Sequence, residues 1–132
     1  MSRELIEQYY AAWQPGNADS ILAFFTEDAV FEDLAFEARF EGPDQIRAFI
    51  DLTYSGIPDF AVKPTHIVVG DGSAAAEWVM SGTHQGDLPG LPRTGQAFAL
   101  RASSVITLSE ERIAVMNDFW NPDAFRRLVG LL

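Results

Sequence analysis

Arg112-Ile113-Ala114-Val115-Met116-Asn117-Asp118-Phe119-Trp120 is rich in β-branched and aromatic residues, which predicts a strand. Side chains on a strand alternate between two faces, so Ala114, Met116, Asp118 and Trp120 share one side while Ile113, Val115, Asn117 and Phe119 share the other. Each face is mostly apolar and carries one polar residue. A carboxylate between Met116 and Trp120 is costly to bury unless it is hydrogen-bonded, paired, protonated, or facing a cavity in which its chemistry is used. Asp118 is therefore a satisfied structural acid, an acid at an exposed strand end, or a functional group in a pocket.

Working outward, Gln96 to Leu108 reads as the hairpin partner of this strand, with the turn at Ser109-Glu110-Glu111, and Pro122 begins a short C-terminal helix. Upstream of the Gly- and Pro-rich loop Gly86 to Gly95, a strand over about Ala75 to Gln85 places Trp78, Met80, Gly82 and His84 on one face. Asp71-Gly72 joins it to Phe60–Val69, where Pro64 cannot donate to a ladder and so predicts an edge or a bulge. The first part of the chain has helical spacing instead. Leu5, Ile6, Tyr9, Ala12 and Trp13 form one stripe, with Ser2 as N-cap and Pro15-Gly16 as the stop. Asn17 can cap a short second helix that buries Ile21, Leu22, Phe24 and Phe25, and Ala29 to Asp33 is a short strand. Gly42-Pro43 opens a third helix with Ile46, Phe49, Ile50 and Leu52 inward, closed by Tyr54-Ser55-Gly56-Ile57-Pro58. Helices followed by long antiparallel strands give an α+β layout, a curved sheet wrapped over three N-terminal helices. The strands are apolar on both sides, so the face turned from the helices is expected to meet a second subunit, making a homodimer.

With 132 residues, 48% of them hydrophobic and 21% charged, the chain fits one domain, residues 1–132, with a real core. Ten Phe and no Cys exclude a disordered chain, disulfides, thiolate nucleophiles and Cys-based zinc sites. Nineteen acidic against nine basic side chains give a net charge of −10, which repels nucleic acid and anionic membranes. No apolar run is long enough to span a bilayer, and the N-terminal acids do not suit a signal peptide, so the expected location is cytoplasmic.

Several motifs fail on context. Gly70-Asp71-Gly72 resembles a dinucleotide fingerprint, but the following residues return as strand rather than helix. His66 and His84 lack helical ligand spacing, so no metal is expected. What remains is a set of polar groups within aromatic segments: Tyr9 on the first helix, Asp33 at the end of the first strand, His84 beside Trp78 and Met80, and Asp118. Gathered in one apolar pocket, they suit proton transfer at a carbon next to a carbonyl, a carboxylate acting as base and a Tyr or His supporting the oxyanion. Each has a plainer reading: Tyr9 as a core tyrosine, Asp33 as the cap of a turn before Leu34.

The segments Gln8-Tyr9-Tyr10-Ala11-Ala12 and Phe24 through Asp33 resemble the ketosteroid isomerases. Gly82-Thr83-His84-Gln85-Gly86 with Gly90-Leu91-Pro92-Arg93-Thr94-Gly95 resembles the SnoaL-like polyketide cyclases, both within the nuclear transport factor two-like superfamily. The resemblance covers essentially the whole chain and implies a cone-shaped fold around a pocket. By the isomerase match Tyr9 would be the oxyanion donor and Asp33 the base; by the cyclase match the catalytic acid is Asp118. Two departures matter. Isomerases carry a protonated aspartic acid as a second donor, and here that strand reads Ala102-Ser103-Ser104-Val105; and Asp118 stands where they have a small apolar residue. The expectation is cofactor-independent acid/base catalysis on a small hydrophobic carbonyl compound, with Asp118, Asp33, His84 and Tyr9 catalytic and Trp120, Met116, Trp78, Met80, Phe49, Phe25 and Trp13 binding the substrate. The alternatives are a non-catalytic ligand-binding or assembly module, and epoxide hydrolysis with Arg101 helping the aspartates if it points inward.

Overall fold

The computed structural model describes residues 2–132. Helices α1 (Ser2–Ala12) and α2 (Ala18–Leu22) lead into strands β1 (Phe25–Asp33) and β2 (Ala38–Glu41). Helix α3 (Gly42–Gly56), strands β3 (Ala61–Val69), β4 (Ser73–Thr83), β5 (Ala97–Ser109) and β6 (Arg112–Phe119) follow, then α4 (Pro122–Leu128). The strands form one curved, unclosed sheet in the order β2-β1-β6-β5-β4-β3. All neighbours are antiparallel except β1 and β6, which run parallel. Helices α1 and α3 pack on the concave side, α1 against β3 and α3 against β1 and β2. Ile6 of α1 and Ile46 and Ile50 of α3 supply their inner stripes at 0–1% exposure, each burial stabilising by about 1.5–3 kcal/mol.

The expected elements form, with three corrections. Phe24 and Phe25 are not helical: α2 ends at Leu22, the Phe24 carbonyl accepts a hydrogen bond from the Ile113 amide at 2.8 Å, and Phe25 pairs with Ile113 in the sheet. The pull of that ladder overrides the local helical spacing. Strand β2 was not predicted, because four residues that pair only at the sheet's edge carry too little pattern. The third correction is in β6. Leu108 pairs with Ile113 and Thr107 with Val115, so Ala114 is an extra residue and the alternation slips once. Ile113, assigned by simple alternation to the outer face, is fully buried together with Met116. Downstream of the bulge the expected alternation returns, with Asp118 inward and Phe119 outward. Pro64 behaves as anticipated: β3 is the edge strand, and its register shifts between Pro64 and His66.

On the convex face Val105 is 51% and Phe119 43% exposed. Among the described residues no helix is long and apolar enough to cross a membrane.

Candidate active site

The parallel pairing of β1 with β6 sets Asp33 directly beside Asp118, and Asp118 faces Ser104 of β5. Three polar residues thus lie in a row across the concave face, all buried. The Trp78 indole Nε1–H donates to Ser104 Oγ at 2.9 Å, and Ser104 in turn donates its proton to Asp118 Oδ1 at 2.5 Å. Asp118 Oδ2 has no hydrogen-bond partner among the described residues. Asp33 Oδ1 accepts from Trp120 Nε1 at 2.9 Å and from the Ala35 amide at 3.2 Å, closing the turn into β2. Each carboxylate is therefore aimed by a tryptophan, one directly and one through a serine.

Burial disfavours the charged form of both acids. It pushes Asp118 up to about 7, the neighbouring Asp33 charge adding to the effect and the Ser104 hydrogen bond opposing it. Burial raises Asp33 to about 6, opposed by the bonds from Trp120, Ala35 and Phe36. Two adjacent carboxyls that titrate near neutrality can accept and return a proton at physiological pH.

A cavity of about 490 Å³ opens between the sheet and the helices. Of the residues expected to act there, Asp118, Asp33, Tyr9, Trp120, Trp78, Met80, Phe49 and Trp13 line it. Three do not. Met116 is fully buried and pairs with Ile106 in the sheet, and Phe25 sits behind the lining, edge-on to Tyr9 with ring centroids 5.6 Å apart. The third is His84, which lies past the end of β4 at 0% exposure. Its Nδ1 meets Thr94 Oγ1 at 3.2 Å and its Nε2 meets the Leu91 carbonyl at 3.1 Å. With both ring nitrogens engaged inside the protein, His84 has no atom to offer a ligand in the cavity.

The loop motif around His84 works as a clamp. Gln85 and Gly86 amides both donate to the Gly56 carbonyl at 2.9 Å, and Asp59 accepts from the Thr83 amide and hydroxyl. A Cβ on Gly86 would lie 2.2 Å from the Ser55 carbonyl oxygen, and one on Gly82 would lie 2.4 Å from Ile57 Cγ2. Only glycine lets the loop sit this close to the end of α3. The clamp holds Leu88, Pro89 and Leu91 as a wall of the cavity.

The residues that sequence reasoning missed are Tyr10, Phe36, Phe40 and Phe125, which also line the cavity, and Ser104. Tyr10 follows Tyr9 on α1 and is 3% exposed, its hydroxyl buried without a hydrogen-bond partner. Burial and the nearby Asp118 push both tyrosine hydroxyls well upward, keeping them protonated. Arg101 is exposed and lies in a shallow depression with Glu77, Ser103 and Phe119, so it does not point inward. No Lys, Arg or His lines the cavity among the described residues, nor do any three His, Cys, Asp or Glu gather as a metal site.

The SnoaL-like domain family matches residues 6–116. The chain belongs to this family. No curated protein matches it significantly. Among solved structures, a Catenulispora acidiphila protein with a ketosteroid isomerase-like fold, in complex with trimethylamine, superposes with a TM-score of 0.88 at 21% identity, covering 100% of this chain and 96% of its own. A candidate SnoaL-like polyketide cyclase from Jannaschia sp. gives 0.88 at 19% identity over 99% and 92% of the two chains. A candidate polyketide cyclase from Pseudomonas putida gives 0.83 at 26% identity over 97% of each. These likenesses establish the cone-shaped α+β fold. The family match ends at Met116, two residues before Asp118.

Proposed function

We propose that this cavity binds a small, uncharged, hydrophobic carbonyl compound and that Asp118 moves a proton at the carbon next to the carbonyl, without a cofactor. The observation that carries this reading is the pair of adjacent carboxyls, Asp33 and Asp118, raised towards neutrality on the wall of an aromatic cavity with no basic lining residue among those described. The absence of a cationic partner disfavours carboxylates and phosphates as ligands, and the aromatic walls favour apolar bodies. Asp118 takes the proton through its free Oδ2, Asp33 holds the shared charge near it, and a tyrosine hydroxyl of α1 supports the oxygen of the enolate. Polyketide cyclisation by an aldol step and isomerisation both begin this way. Epoxide opening assisted by Arg101 loses its support, because that side chain faces solvent. The outer sheet face, with Val105, Thr107, Val115 and Phe119, joins a second copy in our reading; Asn117 on this face has a buried Oδ1 without a partner.

The test is Asp118→Asn assayed on a panel of enolisable hydrophobic ketones by loss of deuterium from the α-carbon. Exchange should fall by about a hundredfold or more, while ketone binding persists. Exchange as fast as in the parent would return the protein to the non-catalytic binding modules.

A further inference from the structure

We propose that the ligand carries a hydroxyl on the carbon next to its carbonyl, that Asp33 accepts this hydroxyl while Asp118 takes the hydrogen from the same carbon, and that the site thereby interconverts α-hydroxy ketones. The proposal rests on the acid/base reading above and names its substrate class.

The polar groups of the cavity wall are few, and most are already committed. Trp120 gives its indole proton to Asp33 and Trp78 gives its own to Ser104; the Thr53 hydroxyl donates to the Phe49 carbonyl at 2.9 Å. The two protons that the Asp33 carboxyl accepts, from Trp120 and from the Ala35 amide, both fall on Oδ1, and the Phe36 amide goes to the Asp33 backbone carbonyl. Asp33 Oδ2 is therefore left free, as is Asp118 Oδ2, since Ser104 donates to Oδ1. Both acids line the cavity, and no Lys, Arg or His faces them there among the described residues. A plain ketone suits one of the two free oxygens, the one that acts as base, and leaves the other against hydrocarbon, where an unmatched carboxylate oxygen is costly. A ligand with a donor beside the reacting C–H satisfies both. That donor has to be close. Asp33 and Asp118 are register partners on adjacent parallel strands, which run about 4.8 Å apart, so their free oxygens serve two protons on bonded atoms. A carbinol carbon, with its C–H and its O–H, presents such a pair. Because both acids are raised towards neutrality, each can take a proton and give it back.

The step balances without a co-reactant. Asp118 takes the C–H proton, the C–H electron pair forms a C=C bond, and the carbonyl π pair moves onto its oxygen. Asp33 carries the hydroxyl proton across to that oxygen, which leaves the negative charge on the other oxygen of the enediolate. A lone pair of that oxygen forms the new C=O bond, and the C=C pair takes the proton back from Asp118 at the former carbonyl carbon. Carbonyl and hydroxyl have changed places, and both carboxylates are restored.

The experiment uses the full chain and three probes: 1-hydroxy-1-phenylpropan-2-one, its methyl ether 1-methoxy-1-phenylpropan-2-one, and phenylacetone, which has neither group. The wild type should bind the hydroxy ketone roughly tenfold more tightly than the ether, the worth of a hydrogen bond to a charged group. It should also convert the hydroxy ketone to 2-hydroxy-1-phenylpropan-1-one above the rate in buffer, followed by proton NMR. In Asp33→Asn the bonds from Trp120 and Ala35 hold the amide oxygen at the Oδ1 position and turn the NH2 group, a donor, towards the ligand. The preference for the hydroxy ketone over the ether should then fall below about twofold. Conversion should drop at least about tenfold further than deuterium exchange at the benzylic carbon of phenylacetone. Equal wild-type affinity for the hydroxy ketone and the ether would overturn the assignment, and so would a preference kept in Asp33→Asn. Exchange of phenylacetone by the wild type with no conversion of the hydroxy ketone would also overturn it, while leaving the acid/base reading in place. The acid/base reading fails separately: a preference for the hydroxyl with no exchange in either ketone removes the proton transfer and keeps the Asp33 contact.

Discussion

Two buried polar clusters in this protein, one just past the end of β4 and one where β1 meets β6, are built on opposite terms. The His84 clamp is closed: both ring nitrogens, the flanking amides and the Thr83 hydroxyl all find partners within the protein. The acid pair is left open, with Asp118 Oδ2 unpartnered, two carboxyls raised towards neutrality and the Tyr10 hydroxyl unsatisfied beside them. Satisfied polar groups rigidify a fold, and unsatisfied ones are held at a stability cost that function has to justify. The residue with the more specific-looking motif, His84, is tied up within the protein, and the groups left open to the cavity are set in ordinary strand and helix sequence.

That contrast makes opposite demands on the two clusters. Breaking the clamp by His84→Ala should destabilise the fold by roughly 2–4 kcal/mol, from two lost hydrogen bonds and the hole left beside Phe125, measured by urea unfolding. A variant as stable as the parent would dissolve the distinction between the clusters.

Opening the acid pair should do the reverse, and pH sharpens it. Folded Asp118 titrates near 7, against 3.8 for a free aspartate, so the stability associated with its protonation is complete below about pH 4 and is lost as pH rises through about 7. Asp118→Asn should therefore match the parent near pH 4 and exceed it by on the order of 1–3 kcal/mol near pH 8. A deficit that grows with pH would mean instead that the ionised carboxylate is stabilised by the fold. The smallest effect on the protomer is expected on the convex face, where Phe119→Ser should change unfolding of the isolated protomer by less than about 1 kcal/mol. The same change should convert a sedimenting dimer to a monomer; a parent that sediments as a monomer at micromolar concentration would remove the subunit contact.

Much of this was legible in the residues. Alternation from Met116 to Trp120 put Asp118 inward, and helical spacing put Tyr9 on the inner side of α1 and Trp13, just past its end, on the same side, because both signals are local periods. What was not legible depends on segments distant in sequence. The bulge at Ala114 is visible only in the pairing of β5 with β6. The role of Gly86 depends on the Ser55 carbonyl approaching it, and the engagement of His84 on Leu91 and Thr94 further along the loop. Ser103-Ser104 read as a missing donor, yet Ser104 aims Asp118 at the cost of its own proton. Tyr10 escaped because a single stripe of α1 was taken as inward, whereas the cavity is wide enough to meet two successive residues.

The parallel contact between β1 and β6 has a consequence for biogenesis. The strand that joins β2-β1 to β5-β4-β3 is the last of the sheet's six strands to leave the ribosome. Until residues 112–119 emerge, the chain holds a two-stranded and a three-stranded piece, each with an open edge of unpaired backbone groups and an uncovered apolar face. The acid pair does not exist in that interval, since Asp33 waits for a neighbour made 85 residues later. The sheet and the acid pair it carries are completed in the same event, the insertion of one strand into a gap.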